Sequence, residues 1–170
     1  ELNVGFEAIK RALANLKGVH RRLEVKGQVN DVIVIDDYGH HPTEIKATLS
    51  ALSQGYPDKR KVVVFQPHRY SRTRALLDGF ATAFFASDTL IVTPIYAASE
   101  ENVYGIDAEK LCQSIAEHGH RDVRCAASLE HALEMAKEAV SESDNSLLLT
   151  LGAGDVWRVG EKFLDAMRAA

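Results

Sequence analysis

The chain has 170 residues, 46% of them hydrophobic and 26% charged, which suits one soluble domain with a sizeable core. A formal net charge of -4, without a face-long run of Lys or Arg, gives no footprint of a nucleic-acid or anionic-membrane binder. Apolar runs such as LLLTL fall far short of a spanning helix and the N-terminus lacks the regions of a signal peptide. Cys112 and Cys125 have neither metal nor disulfide-framework spacing, so the expectation is a cytosolic chain with reduced packing thiols.

In chain order, GFEAIKRALANLKG sets Phe6, Ile9, Leu13 and Leu16 at helical spacing and stops at Gly18, which predicts an amphipathic helix. RRLEVKGQV alternates, with Leu23, Val25 and Val29 as the expected buried face, and DVIVID is a continuous β-branched run. Together they predict two strands around a turn at Gly27 to Asp31. A rhythm then sets in. VIVID, KVVVF, TLIVT and SLLLTL, with a weaker VRCA before the last, are each followed by polar residues and a helical pattern. Those patterns are Ile45, Leu49 and Leu52; Leu76, Phe80 and Phe84; Leu111 and Ile115; Leu129, Leu133, Ala136 and Val140; and Val159, Phe163 and Met167. Pro42, Asp107 and Ser128 mark helix starts. Strands alternating with helices, the strands apolar on both faces, predict an α/β fold: a mostly parallel sheet covered by helices on both sides.

Ligands of such a sheet bind at the carboxyl edge of its strands. This selects four loops: DDYGHHP, QPHRYSRTR, PIYAASEENVYG and GAGDVWR. Asp36 and Asp37 are expected to point to opposite sides of the sheet, only one of them facing a cleft. His40 and His41 are adjacent, point apart and lack the i, i+4 spacing of a helical metal pair, so no metal site is expected. Arg69 and Arg72 stand at a helix start, where cations are disfavoured, and so require an anionic partner such as a carboxylate or phosphate. GAGD lacks the third glycine of a dinucleotide fingerprint and reads either as a tight turn or as a phosphate contact. His118 and His120 read as solvated residues of a surface loop, and His131 as an unremarkable mid-helix residue.

GVHRRLE, DDYGHHPTE, FQPHRYSRT and GAGDV, in this order and spacing, resemble the C-terminal domain of the Mur ligase family, and the resemblance covers nearly the whole chain. It implies a Rossmann-like domain over 19–170, with 1–18 as the helical tail of a central ATPase domain. It also implies a cytoplasmic, bacterial enzyme that forms an amide between UDP-N-acetylmuramate and L-alanine through an acyl phosphate, using ATP and Mg2+. The phosphate loop and metal ligands would lie outside these residues, since G-x-x-x-x-G-K-[ST] occurs nowhere in the chain, and the fragment alone would be inactive. By the same resemblance Tyr38, His40, Arg69 and Arg72 surround L-alanine, the arginines holding its carboxylate. Arg22 approaches the ATP phosphates, and Asp37 the ribose or an interdomain contact. His41 and Pro42 shape their loop, and Asp36 has no direct role. The alternatives are a murein tripeptide ligase domain and a free-standing nucleotide-binding module that uses GAGD.

Overall fold

A computed structural model describes residues 4–14, 18–143 and 145–169. Helix α1 (Phe6–Ala14) buries none of its residues, and Phe6, Ile9 and Leu13 are all exposed. Its expected continuation through Leu16 lies outside the described residues. A six-stranded sheet follows, formed by β1 (Glu24–Val29), β2 (Val32–Asp37), β3 (Arg60–Phe65), β4 (Thr89–Val92), β5 (Val123–Cys125) and β6 (Ser146–Leu151), in the order β1-β2-β6-β3-β4-β5. Only β1 is antiparallel to its neighbour. The described helices between and after the strands are α2 (Pro42–Gly55), α3 (Tyr70–Ala75), α4 (Leu77–Ala81), α5 (Ala108–Glu117), α6 (Leu129–Ser141) and α7 (Trp157–Ala169).

The apolar strands are buried on both faces, as their unbroken runs require. On one face Ile35, Val63, Phe65, Leu147 and Leu149 pack with Ile45 and Leu49 of α2, Phe80 of α4, and Leu111 and Ile115 of α5. On the other, Val34, Val62, Val64 and Leu148 pack with Ala132 and Ala136 of α6 and Val159 and Phe163 of α7. Cys112 is buried in the first core with Cys125 packed against it, both as free thiols, and burial pushes the Cys112 thiol upward.

This division of helices determines where a crevice forms. The chain leaves β2 and β3 towards the α2 and α4 face, but leaves β6, which lies between them, towards the α7 face. Loops that diverge from adjacent parallel strands open a gap at their carboxyl ends.

Three starts read from the sequence are as expected. Pro42 opens α2, Asp107 caps α5 through the Lys110 amide, and Ser128 caps α6 through the His131 amide. Other expectations need correction. Leu23 and Val25 are exposed rather than buried. β1 is an edge strand, and a bulge between Val25 and Gly27 resets the alternation, so Val25 and Val29 no longer share a face. The turn falls at Asn30 and Asp31, after the strand has run to Val29. The helix over Leu76, Phe80 and Phe84 is broken at Leu76 (φ -112°, ψ 19°) into α3 and α4, with Phe84 beyond the end but fully buried against Phe65, ring centroids 5.0 Å apart. His120 is not solvated. It is 8% exposed, and its Nε2 lies 2.9 Å from the Ser87 hydroxyl. His131 lies in the first turn of α6, where its Nδ1 accepts from the Ala127 amide.

Candidate functional site

The residues singled out in the sequence converge at the carboxyl edge, and the β2 loop shows how. Asp36 and Asp37 do point to opposite faces, but neither faces a cleft: they are 1% and 4% exposed. On the α7 side, Asp36 accepts from Thr150 Oγ1 (2.7 Å) and from Arg21 Nε (2.8 Å). On the α2 side, Asp37 accepts from the Leu23 amide (2.9 Å), the Gly39 amide (2.8 Å) and Thr48 Oγ1 (3.2 Å). Asp36, expected to have no direct role, has a structural one as the counter-ion of a guanidinium that is only 12% exposed. Asp37, expected beside a nucleotide, spends both oxygens on backbone and side-chain donors of its own chain.

The histidine pair separates as adjacency dictates. His41 caps α2, accepting from the Thr43 amide, and Glu44 closes the capping box. Burial works against the Glu44 carboxylate, but the His40 and His41 amides donate to it and hold its pKa below the usual range. His40 turns instead into a row of rings. Tyr38 meets it edge-on (5.5 Å between centroids), His68 follows at 5.9 Å, and Tyr96 stacks on His68 at 5.5 Å and 12°. The row crosses three strand ends. Tyr96 is fixed to the β3 loop by backbone bonds, its amide donating to the Pro67 carbonyl and its carbonyl accepting from the Arg69 amide, each at 2.8 Å.

Cations flank the row. Arg72 Nη1 lies 3.2 Å from His68 Nδ1. A guanidinium can only donate, so Nδ1 is the acceptor and the ring is neutral with its proton on Nε2. Burial, and then the charges of Arg72, His40 and Arg69, hold the His68 pKa below the usual histidine value, which agrees with that tautomer. Arg69 is half-exposed, and its nearest acid, Glu100, is 4.0 Å away. Glu100 is already bonded to the Ser71 hydroxyl (2.6 Å) and amide (3.0 Å), contacts that keep its pKa low. The anion expected at the start of α3 is thus partly supplied from within. At the other end, Arg22 stands over Tyr38 (5.8 Å to the ring) with no ion-pair partner among the described residues.

GAGD is a tight turn whose glycines are sterically required. Gly152 has φ +145°, and a Cβ there would meet the Gln66 carbonyl at 2.7 Å, while one on Gly154 would collide with the Gln66 and Tyr96 side chains. Gln66 ties the turn to β3, donating to Asp155 (2.9 Å) and accepting from the Val156 amide (3.1 Å). Arg21 ties it to β2, donating to the carbonyls of Gly152 (2.6 Å) and Gly154 (3.0 Å).

Of the expected site residues, Tyr38, His40 and Arg72 are brought together with Arg69 alongside, Arg22 lies at the Tyr38 end, and Asp37 lies beneath. Sequence reasoning missed Arg21, Gln66, Tyr96 and Glu100, and assigned no role to His68. For Gln66, His68, Tyr96 and Glu100 their positions in the polar loops were the available signal, and for Arg21 its place in GVHRRLE. Tyr38 and Tyr96 are 37% and 41% exposed, so the row forms an open half-site. A cavity of about 460 Å³ lined by Arg74, Tyr104 and Lys110 lies elsewhere, between α4 and α5. Among the described residues no three His, Cys, Asp or Glu side chains cluster as metal ligands, and no helix is long and apolar enough to cross a membrane.

Comparison with known proteins agrees with this architecture. The family model for the Mur ligase, glutamate ligase domain, matches residues 21–154. The UDP-N-acetylmuramate--L-alanine ligases of Desulforapulum autotrophicum and Desulfatibacillum aliphaticivorans are 56% and 54% identical over 98% and 96% of the chain. The chain spans about a third (36%) of the length of each. Among solved structures, UDP-N-acetylmuramate-alanine ligase MurC from Thermotoga maritima superposes over 99% of the chain and 34% of its own, with TM-score 0.80 and 26% identity. A murein peptide ligase from Psychrobacter arcticus shares the fold over 97% of the chain and 33% of its own (TM-score 0.71, 20% identity).

Proposed function

The chain belongs to the Mur ligase family, and we propose that it is the C-terminal, amino-acid-contacting domain of an ATP-dependent ligase that joins L-alanine to UDP-N-acetylmuramate in bacterial peptidoglycan synthesis. Residues 1–18 are then the tail of a preceding ATPase domain. The exposed apolar face of α1, with Phe6, Ile9 and Leu13, supports this assignment.

A carboxylate is a poor acylating group, so the reaction proceeds through an acyl phosphate. The γ-phosphoryl group of ATP passes to a carboxylate oxygen of the muramate, releasing ADP. The alanine nitrogen then forms a bond to the acyl carbon as the carbon–oxygen bond to phosphate breaks, and the amine gives up a proton. Such a step needs cations on the phosphoryl oxygens, a clamp that aims the amine, and closure against water. Arg72, steered by neutral His68, and Arg69, only loosely held by Glu100, form the clamp on the alanine carboxylate. Tyr38 and His40 wall the pocket, with Tyr96 at its far end. Arg22 reaches the phosphate oxygens. Asp37 serves the nucleotide through the backbone it holds at Leu23 and Gly39.

The described residues do not fit a magnesium ion: Asp36 and Asp37 are buried and fully engaged, Glu44 and Glu100 are each bonded to neighbouring amides or hydroxyls, and no three such side chains cluster among them. The metal ligands and the phosphate loop are therefore assigned to the rest of the enzyme, which also completes the open half-site. The observation that carries the reading is a row of rings flanked by three arginines at the carboxyl edge, in a chain 56% identical to a ligase of that name. The test is ADP release by the full-length protein. Turnover is expected only when UDP-N-acetylmuramate and L-alanine are both present. Turnover with a murein tripeptide in place of alanine, or by residues 19–170 alone, would refute it.

A further inference from the structure

Arg22 is flanked by two residues in the left-handed backbone region, Arg21 at φ 57° and Leu23 at φ 44°. Non-glycine residues adopt that region rarely, and they remain there only where surrounding contacts over-determine the backbone. The contacts here are of two kinds. Leu23 is held through its amide by Asp37. Arg21 is held along its whole length: its amide donates to Glu24 (2.9 Å), its carbonyl accepts from the Tyr38 amide (2.8 Å), and its guanidinium spans Asp36 and the carbonyls of Gly152 and Gly154. The two aspartates that end β2 therefore grip the residues on either side of Arg22, one from each face of the sheet. Arg22 itself is exposed, its amide bonded only to the nearby Val19 carbonyl.

We infer that Arg21 is a positioning residue for Arg22. Locked between Asp36 and the β6 turn, it forces the left-handed step that projects the Arg22 guanidinium over Tyr38 and ties that projection to the GAGD turn. The inference rests on the reading that Arg22 meets the ATP phosphates. Arg21 spends its guanidinium within the chain, on Asp36, on the Gly152 and Gly154 carbonyls and on the face of Tyr38, 5.0 Å from the ring centroid. It transmits the geometry of β2 and β6 to Arg22.

A double-mutant cycle in the full-length ligase tests this, with kcat and KM measured separately for ATP and for L-alanine. Arg22→Ala is expected to lower kcat/KM for ATP at least about tenfold and Arg21→Gln by a similar factor, while the double variant falls no more than about twofold below Arg22→Ala, because residues acting as a unit are non-additive. The alanine KM of Arg21→Gln stays within about twofold of the parent, a split that general loosening of the domain would not produce. If Arg21→Gln does not fold, Arg21→Lys carries the same cycle. It keeps an ion pair with Asp36 but offers one ammonium where a planar fork spans two carbonyls. A crippled Arg22→Ala enzyme to which the Arg21 variant adds its full independent loss would overturn the inference alone. Unchanged ATP use by Arg22→Ala would overturn the reading of Arg22, and the inference with it.

Discussion

Around the ends of β2 and β6, Asp36, Asp37, Arg21 and Thr150 satisfy one another and the neighbouring amides, and the carboxylates are almost fully buried. Around the ends of β3 and β4, charged groups of similar number are held far more loosely. Arg69 is half-exposed and 4.0 Å from its only acid, Arg72 leans on a neutral imidazole, and Tyr96 offers an open face. The first region has the structure of a frame and the second that of a receptor. A buried ion pair whose other lone pairs are all bonded holds backbone in place, whereas cations left short of anions have donors to spare for a ligand. The contrast also answers why a strand should end in two adjacent carboxylates. Each serves the frame, one on each face of the sheet.

The largest expected effect comes from breaking the frame. Asp36→Ala leaves the Arg21 guanidinium, 12% exposed, without its counter-ion, and is expected to destabilise the fold by about 3–5 kcal/mol. Arg69→Ala, at a half-exposed position of the receptor region, should stay within about 0.5 kcal/mol of the parent. Urea denaturation of both variants makes the comparison. Equal midpoints would abolish the distinction between the regions.

A smaller effect concerns pH and separates the regions in the other direction. The His68 pKa lies below its unfolded value because of burial and the charges of Arg72, His40 and Arg69. Above about pH 6.5, the ordinary histidine value, both states are neutral and the full stability is present. As pH falls through 6.5 the unfolded chain takes up its proton first, so stability declines until the folded pKa is reached and then levels off. His120, lowered chiefly by burial, adds to the same slope. Replacing His68 with Gln should flatten the decline below about pH 6.5 and loosen Arg72 without disturbing the Arg21 contacts. A pH profile identical to that of the parent would show that His68 is not the neutral support of Arg72.

The order of elements was legible because strands buried on both faces must be continuously apolar, and VIVI, KVVVF, TLIV and LLLTL are. Helix starts at Pro42, Asp107 and Ser128 were legible because capping chemistry is local. The face of β1 was not, since a bulge at an edge strand leaves no trace in alternation. The break at Leu76 was hidden by helical spacing that continues across it to Phe84. In the site, residue types at the carboxyl edge were enough to mark Arg69 and Arg72 as cations in need of an anion, while Tyr38 and His40 were named by the motif resemblance. Partnerships such as Arg21 with Gly152, or Glu100 with Ser71, join loops 131 and 29 residues apart, and no local pattern encodes them. Asp36 and Asp37 show the difference most clearly. Polarity beside a site suggested ligand contact for Asp37, and only burial revealed that Asp36 is spent on the Arg21 and Thr150 side chains and Asp37 largely on backbone amides.

The central claim is that the receptor region holds the amino acid through its two arginines. Its most direct test is steady-state kinetics of the full-length ligase carrying Arg69→Ala, Arg72→Ala or Arg72→Lys, with thermal melts alongside. Each alanine variant is expected to lose about 2–5 kcal/mol of transition-state stabilisation for L-alanine at unchanged melting temperature, with poor rescue by lysine, which lacks the planar fork. Unchanged alanine kinetics in both alanine variants, or losses that appear only where the protein melts, would contradict the account.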